Sequence, residues 1–282
     1  MAGKLEHQAR QLVGKNYGVS HETTAKLLCN IRSVAKWLET RYGLQNISNI
    51  KPHMVDRYFR EMRQASRAAS TMQNHATAWR SIARAVGKPN IVPRSNTELG
   101  IERTAADRYR PATANSEKLV EIRAQLNERA ANGSLKHHAL LAAHDLREAF
   151  GLRAKESLMS SKVIDVNGKP HLKVEGAKGG RPRTLSIRSE SQVRAVKQAQ
   201  EVSKDLGSKT GRLIPPEMSL KQMYDFQRNT LRALGATKEN ASNMHVMRHE
   251  YAQERLQETG DRMGVANDLG HGRESVTQHY TP

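Results

Sequence analysis

The sequence predicts a mainly α-helical protein with one small antiparallel sheet, arranged as two domains. Apolar residues recur at helical spacing through most of the chain, and glycines and prolines punctuate the pattern. Residues 163–187 replace it with short runs rich in Val, Ile and Leu separated by turn residues. The 282 residues are also long for one domain, since an average domain holds about 150.

From His21 to Thr40, residues Ala25, Leu28, Ile31, Ala35 and Leu38 fall on one helical face, and Ser20 suits an N-cap. Lys51 to Gln64 and Ser70 to Val86 repeat the pattern, with Gly43 and Gly87 as helix ends. No strand signal interrupts this part, so residues 1–92 are expected to form a small helical bundle. Periodicity lapses between Gly87 and Asn115, around Pro89, Pro93 and Pro111, where Arg94, Arg103, Arg108 and Arg110 accumulate. Residues 93–112 therefore read as a basic linker suited to lie along a phosphate backbone.

Residues 113–282 make the second domain. Helical spacing returns at Ser116–Arg129 and at Leu135–Phe150, the latter closed by Gly151. Val163–Val166, the Asn167-Gly168 turn, His171–Glu175, the Gly179-Gly180 turn and Arg183–Ile187 predict a three-stranded meander. Helices resume at Glu190.

Charge narrows the partner. The chain holds 46 Lys and Arg against 28 Asp and Glu, a formal net charge of +18. Such an excess points to a polyanion, nucleic acid ahead of an anionic membrane surface. It is shared, with 19 basic and 8 acidic side chains in residues 1–110 and 27 and 20 in the rest, so two basic bodies are expected to grip a duplex. The aromatic content of 4% argues against the stacking platforms of single-strand binders. The longest apolar run, Ala139–Ala143, is far shorter than the roughly 18 residues of a membrane span. The N-terminus lacks a signal peptide's apolar core, and the lone Cys29 excludes an internal disulfide or a cysteine-based zinc finger. A cytoplasmic protein is expected.

Four clusters in the second domain carry side chains able to do chemistry. Gly151-Leu152-Arg153-Ala154-Lys155-Glu156 lies at a helix boundary, with Arg153 and Glu156 three apart, the spacing of an ordinary surface ion pair. Gly176-Ala177-Lys178-Gly179-Gly180-Arg181 presents a lysine on a glycine-rich turn but lacks the phosphate-loop pattern. His245-Val-Met-Arg248-His249 puts His245 and Arg248 on one side of a helix capped by Ser242 or Asn243. His245 and His249 are also spaced as a metal pair, but His249-Glu-Tyr-Ala-Gln253 does not complete the zincin motif. Finally, Leu269-Gly270-His271 precedes Tyr280 by nine residues, and alone such a tyrosine is a packing residue.

Together these clusters follow the order Arg…Lys…His-x-x-Arg…His…Tyr, which resembles the tyrosine recombinase (phage integrase-like) family in its compact two-domain form. The motifs cover the second domain, which would be a mixed α+β catalytic domain. The first domain matches the family's helical core-binding domain by architecture alone. The resemblance implies that Arg153 and Arg248 hold the nonbridging oxygens of a scissile phosphate and that His271 adds a donor. It implies Lys178 as the acid for the departing 5′ oxygen, His245 as an aid to proton transfer and Glu156 as support for the arginines. Tyr280 would be the nucleophile and form a 3′-phosphotyrosyl bond. Arg181 and Arg183 are rival cations on the turn and join Arg94, Arg103, Arg108 and Arg110 as candidate DNA contacts.

The implied partner is a double-stranded DNA recombination site, with a homo-tetramer across two synapsed sites and a monomer or weak oligomer off DNA. The implied setting is prokaryotic and nucleoid-associated, in integration, excision or a related rearrangement, with no metal, ATP or other cofactor. The alternative is a catalytically inactive recombinase-like protein that binds or regulates DNA. It is disfavoured because all six catalytic positions are filled. The family commonly continues past the tyrosine with a docking helix, whereas only Thr281 and Pro282 follow here. Either the chain is truncated or assembly uses another surface.

Overall fold

Amphipathic spacing in the N-terminal part produces four helices, α1 (Lys4–Val13), α2 (His21–Tyr42), α3 (Pro52–Gln64) and α4 (Ala69–Ala85). A computed structural model describes residues 3–14, 21–103, 111–176 and 182–281. The chain divides into two units, Met1–Asp107 and Arg108–Pro282. In the first, Pro52 starts α3 at a position where its missing N–H costs nothing. Leu5, Ile31, Leu38, Val55, Phe59 and Trp79 are buried in the core, and the Trp37 and Tyr58 rings meet edge-to-face at 4.9 Å. Short 3-10 turns follow at Pro89–Ile91 and Thr97–Leu99. Val92, Leu99 and Ile101 are buried in the same core, so the beginning of the stretch read as linker is anchored here. These apolar residues are too sparse along the chain to show a period.

The second unit is built around α6 (Leu135–Phe150), which follows α5 (Ser116–Ala131). Ala139 to Ala143, Leu146 and Phe150 are all buried, which places α6 inside the core. It packs on α5 and on three later elements, α7 (Ala154–Met159), α8 (Glu190–Asp205) and α10 (Val246–Thr259), while α9 (Leu220–Ala233) packs on α7. Asn115 caps α5, and Ser189 and Ser219 form capping boxes with Gln192 and Gln222 on α8 and α9.

The predicted meander forms as β1 (Val163–Val166), β2 (Lys169–Val174) and β3 (Arg183–Ser186), antiparallel in that order. Strand β2 starts two residues earlier than His171 because Asn167 and Gly168 both have positive φ, 54° and 75°. This tight two-residue turn pairs Val166 directly with Lys169. Leu172, Val174 and Leu185 point into the core. The chain ends with α11 (Arg262–Asp268) and α12 (Glu274–Thr277). Among the described residues no helix is long and apolar enough to cross a membrane.

Candidate active site

Gly151 closes α6 in the left-handed conformation, with φ of 60°. The chain then turns so sharply that Arg153 becomes the N-cap of α7 and Glu156 its third residue. Glu156 accepts from the Arg153 backbone N–H at 2.9 Å and from Arg153 Nη1 at 2.6 Å. The spacing alone suggested a surface ion pair, yet Glu156 is fully buried. Arg183 on β3 reaches it from the other side, with Nη1 and Nη2 each 3.0 Å from one carboxylate oxygen. Burial pushes the Glu156 carboxyl up, but the Arg183 fork, the Arg153 amide and both positive charges outweigh it and hold the pKa at about 2.

Arg248, in the first turn of α10, is 1% exposed. Its Nη1 donates to the Gly151 carbonyl at 2.7 Å and lies 4.0 Å from Glu156 Oε2. Its Nη2 donates to the Leu269 carbonyl and to His271 Nε2, the latter at 3.2 Å. Burial, and then the neighbouring Arg153, push the Arg248 pKa down to about 10. Its Nε is buried and has no hydrogen-bond partner among the described residues.

His271 follows Gly270 at the end of α11. Burial, with Arg248, Arg153 and Arg183 beside it, pushes its pKa down to about 3, so the ring is neutral. Nε2 therefore accepts from Arg248, while Nδ1 faces Thr277 Oγ1 at 3.5 Å. The resemblance implied a phosphate donor here; in the structure Nε2 accepts from Arg248.

Tyr280 lies three residues past the end of α12, in a turn where its backbone N–H bonds the Thr277 carbonyl at 2.8 Å. Its ring stacks on His271 at 5.0 Å and lies 4.6 Å from His249 and 5.5 Å from His245. The Arg248 guanidinium carbon is 5.5 Å from the ring centre. His245 is the N-cap of α10 rather than a member of it, and its own N–H bonds Asn243 Oδ1 at 2.9 Å. Desolvation, then His249, Arg248 and Arg153, push its pKa down.

Across half of the chain, residues 109–254, the sequence matches the family model described as integrase. The chain belongs to the integrase family of tyrosine recombinases. It is 28% identical over 182 residues to the tyrosine recombinase XerD of Rhizobium meliloti (strain 1021), an alignment covering 61% of this chain and 57% of that one. The chain thus spans less than two thirds of that relative. Its fold is similar to XerH recombinase bound to a palindromic difH substrate in a post-cleavage complex, with a TM-score of 0.66 and 17% identity over 91% of this chain and 75% of that one. It is similar to a lambda integrase tetramer bound to a Holliday junction, at 0.60 and 15% over 99% and 76%. The Tn1549 transposon integrase bound to transposon right end DNA is also similar, at 0.57 and 13% over 99% and 95%.

In this integrase the structure brings together six sequence candidates: Arg153, Glu156, His245, Arg248, His271 and Tyr280. Lys178, Arg181, Arg108 and Arg110 lie outside the described residues. Arg94 and Arg103 are exposed in the first unit. Arg183, expected among the DNA contacts, is instead turned inward. Sequence reasoning did not assign His249 or Gln253 to the site. His249 Nδ1 accepts from the Ala112 N–H at 3.3 Å, and Gln253 Nε2 donates to the carbonyls of Ala112 and Tyr280 at 3.2 and 3.0 Å. The His245–His249 spacing flagged one of them for another reason; nothing flagged the glutamine.

Among the described residues, the side chains gathered at metal-ligand spacing are His144, Asp145 and Glu148 on α6. Arg123 already forks onto Asp145 at 2.9 and 3.2 Å, so a protein cation engages that carboxylate. A cavity of about 730 Å³ bounded by Leu119, Asp145, Gln192, Glu250 and Glu254 lies apart from Tyr280 and touches none of the candidates.

Proposed function

We propose that this integrase cuts and rejoins double-stranded DNA at a specific site through a 3′-phosphotyrosyl intermediate on Tyr280. The observation that carries the reading is the packing of the Tyr280 ring against His271 and Arg248, which also joins Arg153 through Glu156. A phenol of ordinary pKa near 10 is a poor nucleophile at neutral pH, and a field of fixed cations stabilises its anionic form as it attacks. The Tyr280 oxygen bonds to phosphorus, its proton passes toward His245, and the bond to the 5′ oxygen breaks. Lys178 protonates that leaving oxygen. Attack by a 5′ hydroxyl on the phosphotyrosine reverses every step, so the phosphodiester energy is conserved and no ATP is consumed.

Arg153 and Arg248 bind the nonbridging oxygens, and the unpartnered Arg248 Nε supplies one donor toward them. An entering phosphate neutralises the cations that depress His271, raises its pKa and lets it become a donor. In this reading the first unit and the basic stretch that follows bind DNA, and the second unit carries the chemistry. The relatives solved on DNA, one of them a tetramer, support a DNA partner and a homo-tetramer on two synapsed sites.

The test uses a nicked duplex carrying the site that the full chain selects from a random-sequence pool. Wild type is expected to form a covalent adduct and Tyr280→Phe none; an adduct in Tyr280→Phe refutes the nucleophile. Arg153→Ala and Arg248→Ala should each lower the single-turnover rate by about 10²–10³ with little change in site affinity. Equal losses in rate and affinity would make them binding contacts.

A further inference from the structure

We propose that Arg183 is a positioning residue of the active site, holding Glu156 and through it Arg153, and is not a DNA contact. The proposal rests on the recombinase reading above. It concerns a residue whose spacing from Lys178 suggested a cation for DNA, and the geometry points elsewhere.

All three guanidinium nitrogens of Arg183 face protein. Nη1 and Nη2 fork onto Glu156, and Nε donates to the Asp268 carbonyl at 2.9 Å. The side chain is 12% exposed. Its path crosses Gly270, where an added Cβ would stand 3.1 Å from Arg183 Cδ and from Nη1, a separation tighter than ordinary contact. One planar group thereby joins three parts of the site: β3, the start of α7 with Arg153, and the end of α11 with His271.

A bidentate fork fixes direction as well as charge, which a lysine's single ammonium cannot do. Glu156 meets Arg183 on one side and Arg153 on the other, with Arg248 4.0 Å away. Without Arg183 the carboxylate is free to turn toward Arg248, drawing Arg153 out of line and engaging a cation meant for phosphate. Residues that orient a reactive shell in this way typically carry about 10- to 100-fold effects.

The experiment compares full-length wild type, Arg183→Ala, Arg183→Lys, Glu156→Ala and the double variant Glu156→Ala/Arg183→Ala. On the nicked duplex it reads single-turnover adduct formation, site affinity and the salt dependence of binding. Arg183→Ala and Arg183→Lys are each expected to slow the adduct by about 10- to 100-fold, with affinity and salt slope unchanged. The double variant should be no slower than Glu156→Ala alone, because Arg183 acts through that carboxylate. If Arg183→Ala does not fold, Glu156→Gln/Arg183→Met removes both charges together and should cleave at the rate of Glu156→Gln. A weaker affinity with a shallower salt slope, multiplying rate losses, or wild-type cleavage by Arg183→Lys overturns the proposal. If wild type itself forms no adduct on DNA that it binds, the recombinase reading fails, and this assignment with it.

Discussion

His271 and Glu156 show how one small volume sets opposite ionisation states on neighbouring groups. Burial, with Arg248, Arg153 and Arg183, keeps the imidazole neutral, while Arg183 and Arg153 overcome burial and keep the carboxyl ionised. Both shifts make acid destabilising. A histidine held at about 3 instead of 6.5 leaves the unfolded chain with an extra proton between those values, so stability is full above 6.5 and falls below it. Glu156, held at about 2 instead of 4.5, adds stability that is present above 4.5 and lost as pH falls toward 2. Urea unfolding of the second unit should therefore weaken from pH 7 to pH 5. His271→Gln should lower that slope by at most about 1.4 kcal/mol per pH unit. An unchanged slope would mean that His271 titrates normally in the fold. Sequence spacing placed Arg153 beside Glu156 but could not show the burial of Glu156 or the fork from Arg183, 27 residues away.

At the scale of elements, the α6–α7 junction sets the site. Gly151 has φ of 60°, and a Cβ there would meet Tyr251 Cδ1 at 2.6 Å. Its carbonyl also receives Arg248 Nη1. Gly151→Ala should thus cost at least about 1–2 kcal/mol from backbone strain alone. It should also slow adduct formation in the remaining folded protein, because the Arg248 acceptor moves; denaturant midpoints and single-turnover rates check the two effects separately. Cleavage at the wild-type rate would show that the junction tolerates displacement. Most elements were legible because helical period, caps and the Asn167-Gly168 turn are local signals. The start of α10 was not: Asn243 bonds the His245 N–H, which leaves His245 at the cap and Val246 as the first helical residue.

For the whole molecule the dominant quantity is the net charge of +18. Only a few cations belong to the Tyr280 cluster, so most of the excess charge lies outside it, where phosphate contacts would release counterions. Site affinity should fall steeply with salt, by about 10³ or more between 50 and 200 mM if at least six phosphates are contacted. The cleavage rate on fully bound DNA should change far less, because buried charges are screened weakly. A salt-insensitive affinity would argue against DNA as the partner. Each unit has its own buried core, one containing Phe59 and Trp79 and the other Leu146 and Phe150. Residues 108–282 expressed alone should consequently show a cooperative unfolding transition.

The sequence by itself determined the helices, the meander, the basic character and the order of the candidate residues, since each depends on neighbours close along the chain. Tertiary structure alone decided that Glu156 is buried, that Arg183 serves it, and that His249 and Gln253 border Tyr280. It also decided that Leu99 and Ile101 belong to the first core. Hydrogen-bond partners and desolvation act through space, and folding brings together residues whose separation along the chain carries no periodic signal.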